Sequence, residues 1–266
     1  LGLVDQQIGR VMEALSPELR SNTVVVFVSD HGDYCGSHGM LQGKEGNVYE
    51  EALRVPLVVR DFTGRYAADA EIMRNQLSSS IDLMPFLVTL GNGGSSSWIQ
   101  GDLATLYGSR HDLLNIVRDR NAVGREYAVY TTDEYVNPLL NFNGAPTHIL
   151  ALMQANTKLG LYGHWVNHTV QLSPLGRELE FYDHSTPSGK LELDNEPGDP
   201  RVPPSLNRLL SEILPGEIRK PLPPSLSSFA DANQQVYLAY IDFLDGFSEA
   251  EVLANIHLNF GKDGFL

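Results

Sequence analysis

"TVVVFVSDHGDYCGSHGMLQGK", residues 23–44, decides how this chain is read. Its first part, Thr23 to Val28, is β-branched and aromatic without interruption. Such a run predicts a strand covered on both faces, as in a parallel sheet. Its second part packs Asp30, His31, Asp33, Cys35, His38 and Lys44 into one loop spaced by Gly32, Gly36, Gly39 and Gly43. Loops of this length in a compact domain are functional or disordered. In open parallel sheets, ligands bind just outside the carboxyl ends of the strands, which is where this loop begins.

The flanks extend the pattern. Upstream, Val4, Ile8, Val11, Met12 and Leu15 recur at helical spacing, and Ser16-Pro17 ends that helix or opens a turn. Downstream, residues 49–53 predict a short helix and "VPLVV", residues 55–59, a second buried strand. Ser79 or Ser80 is placed to cap a helix from Asp82 to Leu90, closed by Gly91. From Tyr127 onward, short strand patterns alternate with turn signals, as in an antiparallel layer. Residues 196–230 are rich in proline, with a helix expected around Leu206 to Leu214. Ser248 and Glu251 form a capping-box pattern before a final helix. The fold class predicted is α/β. Residues 1–115 form part of a large, mostly parallel sheet flanked by helices. Residues 116–200 form a smaller antiparallel α+β subdomain, and residues 201–266 a proline-rich segment with terminal helices.

Composition narrows the partners. The 266 residues are 42% hydrophobic, enough for a sizeable core. With 19 basic and 33 acidic residues the net charge is −14, which argues against a nucleic-acid partner. An anionic small molecule remains admissible where local cations override that field. No apolar stretch approaches the roughly 20 residues of a transmembrane helix. The chain opens in a helical pattern without an initiator methionine and reads as the interior of a longer protein. Its one cysteine allows no intrachain disulfide.

The loop's chemistry follows from its residue types. Asp30 and His31 are adjacent, and Gly32 permits a kink that would let both reach one divalent ion. They are too few for calcium, which takes 6–8 oxygens, so further ligands must come from elsewhere. Lys44 is a point charge on a long stem, suited to a tetrahedral oxyanion. Together they describe a metal-assisted site for a sulfate or phosphate ester. Three other readings stand beside it. The loop is a solvated polar turn with helix caps; or His31, Cys35 and His38 bind zinc, although no closed zinc module has that spacing; or Cys35 is a thiol nucleophile, which needs a base and an orienting group. His38 either donates a proton to a leaving group, lines a substrate pocket, or bonds to the backbone. Asp33 is either an acceptor behind the ligands or a turn stabiliser. Arg54 pairs with Glu50 and Glu51, and Tyr49 packs. His148, His164 and His168 are expected on the surface or in the core of the small sheet, with Trp165 as an apolar anchor or pocket wall. Asn167-His168-Thr169 has the pattern of a glycosylation sequon.

Residues 23–59 resemble the second half of sulfatases of the alkaline-phosphatase superfamily. The matching features are the apolar strand, Ser29-Asp30-His31-Gly32-Asp33, His38-Gly39, Lys44, Tyr49-Glu50-Glu51 and Arg54-Val55-Pro56. The resemblance extends over roughly residues 1–200. It implies that Asp30 and His31 are the carboxy-terminal pair of metal ligands and that Lys44 holds the sulfate and the bridging ester oxygen. The implied metal is calcium, with manganese as the alternative because relatives cleaving phosphonate or phosphate esters use it. The nucleophile of the family is a formylglycine made from the cysteine of a Cys-x-Pro-x-Arg motif. That motif is absent from these residues, and Cys35 is followed by Gly36-Ser37-His38. "STPSGK", residues 185–190, has a superficial likeness to it but reads as a hairpin turn.

The expected function is therefore a sulfuric ester hydrolase acting on a small anionic sulfate ester. Its catalytic residues are Lys44 and His38 and its metal ligands Asp30 and His31. Formylglycine is not encoded in this chain, so the chain alone is expected to be inactive. The alternatives are a phosphodiester or phosphonate monoester hydrolase of the same superfamily, and a non-catalytic binding module. Terminal helices carrying Val236, Tyr240, Phe243 and Leu244 either pack back on the body or form a homo-oligomer interface.

Overall fold

The computed structural model describes residues 2–41, 43, 44, 46–67, 73–133, 148–164, 166, 172–218 and 223–226. The chain divides into two compact units. One holds Leu1–His31 and Val55–Arg125, the other Gly32–Arg54 and Glu126–Leu266. Trp165, the sequon at 167–169, His168 and the helices expected beyond residue 227 lie outside the described residues.

In the first unit, α1 (Gly2–Glu13) follows the 3.6-residue apolar period. A short helix, α2 (Pro17–Arg20), follows; Ser16 caps it by accepting the Leu19 N–H at 3.2 Å, and Pro17 sits where a missing N–H costs nothing. β1 (Val24–Val28) and β2 (Leu57–Asp61) form a two-stranded sheet. The β2 strand begins after Pro56, not before it, because proline cannot donate to a ladder. The pairing is antiparallel, with Val28 opposite Leu57 and Val24 opposite Asp61. The α/β class holds, but the expected parallel pairing does not hold for these two strands. A parallel pair needs a crossover that returns along the whole sheet. Residues 29–56 instead leave and return at the same end, beside Val28 and Leu57.

Neither strand is buried on both faces as its composition predicted. Phe27, Val28, Leu57 and Val58 are exposed, and so are Leu3, Val4 and Val11 of α1. The buried core of this unit is Tyr66, Phe86, Leu113, Leu114 and Ile116, with Val24, Val26 and Val59 packed against it. Its helical part comes from α4 (Leu83–Gly91) and α6 (Leu113–Arg118), while α5 (Asp102–Tyr107), between them, buries no residue. A 3₁₀ turn over Ser80–Asp82 precedes α4, and Ser79 makes no side-chain cap there. Asp82 takes over the local order instead. It is fully buried, accepts the His111 N–H at 2.9 Å, and receives both Nε and a terminal nitrogen of Arg125 at 2.6 and 2.5 Å.

The second unit is built on an antiparallel meander of β3 (Tyr127–Asp133), β4 (His148–Gln154), β5 (Thr157–Gly163) and β6 (Glu178–Asp183), in that order. This is the layer predicted from the strand texture after Tyr127. Side chains alternate across a sheet, and both faces here are covered. Leu150, Leu152, Leu159, Leu161 and Phe181 pack with Val202, Leu209, Ile213 and Leu214. Those last residues come from α8 (Val202–Arg208) and the wider π-type turn Leu209–Ile218 that continues it. The other face carries Ile149, Ala151 and Tyr162, and on it sits Val48, fully buried. Gly160 makes room for it: a Cβ there would lie 2.8 Å from Val48 Cγ2. "STPSGK" is not a hairpin turn. It enters a short helix, α7 (Pro187–Lys190), capped by Thr186, which accepts the Gly189 N–H at 2.9 Å. His148 is a buried core residue of β4.

Candidate functional site

Asp30 and His31 follow β1 directly, in the first unit. Asp30 Oδ1 accepts the His31 N–H at 3.0 Å, and Ser29 Oγ donates to the His31 carbonyl at 2.7 Å. The two side chains point the same way, with Asp30 Oδ2 and His31 Nε2 3.6 Å apart. Both are open to solvent, at 85% and 47% of their side-chain surface. The backbone N–H bond at His31 leads the effects that hold the Asp30 carboxyl below its ordinary range, so it is present as a carboxylate. One anionic oxygen and one imidazole nitrogen at this spacing are donors that fit a divalent cation, with room for further ligands.

The rest of the loop, Gly32 to Arg54, belongs to the second unit together with a short helix, α3 (Glu50–Leu53). Asp33 is a turn stabiliser in this structure. Its Oδ1 accepts from the Cys35 N–H at 2.9 Å and its Oδ2 from the Gly43 N–H at 3.1 Å, closing the loop on itself. Cys35 Sγ also faces Asp33 Oδ1, at 3.2 Å, and that bond pushes the thiol up from its ordinary value. A thiol held protonated by a carboxylate is a poor nucleophile, so the thiol reading of Cys35 is not supported. Tyr34 and Asn47 are buried and bonded to each other, and Asn47 Oδ1 accepts the Tyr49 N–H at 3.0 Å.

His38 is constrained in backbone and side chain alike. Its φ is +53°, which is costly for a residue with a Cβ. Its ring lies flat on Tyr49, with centroids 3.8 Å apart and planes within 4°. Its Nε2 is 3.4 Å from Glu51 Oε2, and its side chain is 11% exposed. A carboxylate beside one ring nitrogen and an aromatic ring beneath it fix the orientation of the imidazole. Lys44 is half-buried on the same loop. Arg54 pairs with Glu50 at 3.9 Å but is largely exposed, so that pair adds little.

Among the described residues, two groups of side chains bring ligand-type atoms within 4.8 Å of one another: His38, Glu51 and Glu192, and Glu50, His184 and Glu192. Neither contains Cys35 or His31, so the zinc set His31–Cys35–His38 is not assembled. Both share Glu192, whose charge is already met by the buried ammonium of Lys158. Lys158, His184 and Glu192 were not singled out in the sequence. One signal was there. Lys158 interrupts an apolar strand and shares a face with Gly160 and Tyr162, so it had to be either an edge residue or a buried cation with a partner.

Residues 1–93 match the sulfatase family model. Over 90 residues, 34% of this chain, the sequence is 40% identical to an uncharacterized sulfatase, YidJ, of Escherichia coli K12, covering 17% of that protein. Over 125 residues, 47% of this chain, it is 29% identical to an arylsulfatase of Clostridium perfringens, covering 24% of it. The fold resembles a phosphonate monoester hydrolase from Silicibacter pomeroyi, with a TM-score of 0.59 and 22% identity over 84% of this chain and 40% of that one. The sulfatase likeness in sequence is thus carried by residues 1–93, and the likeness to the Silicibacter hydrolase is one of fold. It spans about a quarter or less of the length of the two curated relatives.

Proposed function

We propose that this chain carries the carboxy-terminal part of the active site of a sulfuric ester hydrolase. Asp30 and His31 would hold a divalent metal, Lys44 would hold the sulfate and bridging oxygen, and His38 would serve the leaving group. The observation that carries this reading is the Asp30–His31 pair at the end of β1, inside the segment that matches the sulfatase model. Sulfatases generally use a divalent metal, and an oxygen–nitrogen donor pair suits one without fixing its identity between calcium and manganese. When bound, the metal supplies Lewis-acid stabilisation of negative oxygen.

The chain's own residues do the rest. As the sulfur–oxygen bond breaks, its electron pair passes to the leaving oxygen. The Lys44 ammonium would offset that charge, and His38, its ring held by Tyr49 and Glu51, would be the general acid that serves the leaving oxygen. The nucleophile is a formylglycine hydrate oxygen supplied from outside these 266 residues, since no Cys-x-Pro-x-Arg occurs within them. The isolated 266 residues are accordingly without turnover.

The test uses the natural gene product, translated from its own start, on a chromogenic aryl sulfate. Asp30→Asn and Lys44→Ala should each lower kcat/KM by about 10²-fold or more. Unchanged turnover in both variants would remove the assigned roles. A phosphonate monoester assayed in parallel separates the second reading, which the named activity of the Silicibacter neighbour motivates.

A further inference from the structure

The unit that holds the Lys44 loop also buries a cation. Lys158, on β5, is fully buried, and its ammonium donates to Glu50 Oε1 at 3.0 Å and pairs with Glu192 Oε1. Glu192 is itself buried, and it adopts a φ of +52° that only a specific local requirement would retain. Its other oxygen, Oε2, accepts the Glu50 N–H at 2.8 Å, and His184 Nε2 lies 3.2 Å from Oε1. The first N–H groups of any helix lack partners inside it. Tyr49, which precedes α3, gives no side-chain cap, so Glu192 meets that need from 142 positions away.

A buried ion pair is a weak source of stability, because apolar residues of the same size do as well. What it supplies here is position. The element it grips is α3, and the residues on either side of Glu50 are the two that hold His38: Tyr49 stacks on the ring, and Glu51 faces Nε2. One step earlier, Val48 is locked into the sheet over Gly160. The amide of Gly32, where the loop begins, donates to the Ala52 carbonyl of α3 at 2.9 Å.

We infer that Lys158 and Glu192 are positioning residues for ester hydrolysis, acting through α3 to set the place of His38 and of the loop that carries Lys44. They touch no reacting atom. The inference rests on the hydrolase reading above and adds to it a role for the small sheet, which becomes the rigid support of the reactive loop.

The experiment compares Glu192→Ala, Glu192→Gln and Lys158→Met in the natural gene product. It measures kcat and KM on the aryl sulfate, thermal midpoint, and hydrogen exchange of residues 32–54 without substrate. Glu192→Gln keeps an oxygen for the Glu50 N–H, whereas Glu192→Ala does not. Glu192→Ala should lower kcat by about tenfold or more, since small misplacements of catalytic groups cost that much. KM should move by less than about threefold, and exchange in residues 32–54 should rise. Glu192→Gln should recover most of kcat, and Lys158→Met should behave as Glu192→Ala does. Faster exchange with unchanged kcat in Glu192→Ala would overturn the inference while leaving the hydrolase reading intact. A kcat loss that Glu192→Gln does not recover, or one that follows the thermal midpoint across the three variants, would also overturn it. Absence of turnover in the unsubstituted protein would overturn both, a case recognised before any variant is assayed.

Discussion

Gly32 lies so close to Glu51 that a Cβ at position 32 would stand 1.8 Å from the Glu51 carbonyl oxygen. The glycine after the Asp30–His31 pair is therefore required by a backbone approach, whatever chemistry the pair performs. Gly32→Ala must push α3 away from the start of the loop, and it should destabilise the second unit by about 1–3 kcal/mol, the cost of forced overpacking. Gly36→Ala is the matched control. Its φ is +96°, but nothing lies within 4 Å of the added methyl, so only the conformational cost of about 1 kcal/mol remains. Urea denaturation of both variants decides the point. A Gly32→Ala no worse than Gly36→Ala would show that the approach is not present in solution.

In the first unit, Arg125 and Asp82 form a buried bidentate pair, with Arg125 8% exposed and Asp82 fully buried. Removing one partner strands the other charge. Arg125→Met should cost about 3–5 kcal/mol, whereas Arg125→Met combined with Asp82→Leu should recover a large part of that loss. The recovery is incomplete because Asp82 also accepts the His111 N–H, which leucine leaves unbonded. Equal losses in the single and double variants would mean that the charge of Asp82 is not the destabilising element.

These two sites show what the sequence made legible and what it did not. The strand–DHG–Lys loop was readable because its residues are close in sequence and their types are diagnostic. The antiparallel meander was readable from turn spacing. The pairing sense of β1 and β2 was not, since a β-branched apolar run is compatible with either ladder and direction depends on the path of residues 29–56. The partners that support the loop were not readable either. Asp82 with Arg125, and Glu50 with Lys158 and Glu192, join residues 43, 108 and 142 positions apart. Lys158 alone is marked, as a lysine that interrupts an apolar strand, and nothing local in the sequence says which residues partner it. The roles of Asp30, His31, His38 and Lys44 remain proposals that rest on resemblance and on the local geometry of each.

Glu180, half-buried on β6, offers a pH signature. Burial pushes its carboxyl above the ordinary value. The Tyr182 hydroxyl that donates to it at 3.1 Å and the charge of Lys158 pull the other way, while Glu192 adds to the rise. A carboxyl whose folded-state pKa is raised contributes stability below its unfolded pKa, and that contribution is lost as pH rises through the folded value. Glu180→Gln should therefore be more stable than the unsubstituted protein at pH 7, by about 2–4 °C in thermal midpoint per kcal/mol gained. The advantage should vanish below about pH 4, where both side chains are neutral. An advantage independent of pH would assign the effect to packing instead of charge.

The exposed apolar side chains of the first unit make a prediction of their own. Leu3, Val4 and Val11 on α1 and Val58 on β2 are between 55% and 77% exposed. Large side chains that bury nothing add little to stability, but an apolar surface of this kind promotes association. Substituting Val4, Val11 and Val58 by lysine should change the unfolding free energy by no more than about 0.5 kcal/mol at each position. The same substitutions should lower self-association of the isolated 266-residue chain, as read by light scattering against concentration. Lysine at Val58 acts twice, since a charge on a strand also discourages edge-to-edge pairing. A large loss of stability at any of the three positions would show that the side chain is buried in solution and that the face is already covered within the chain.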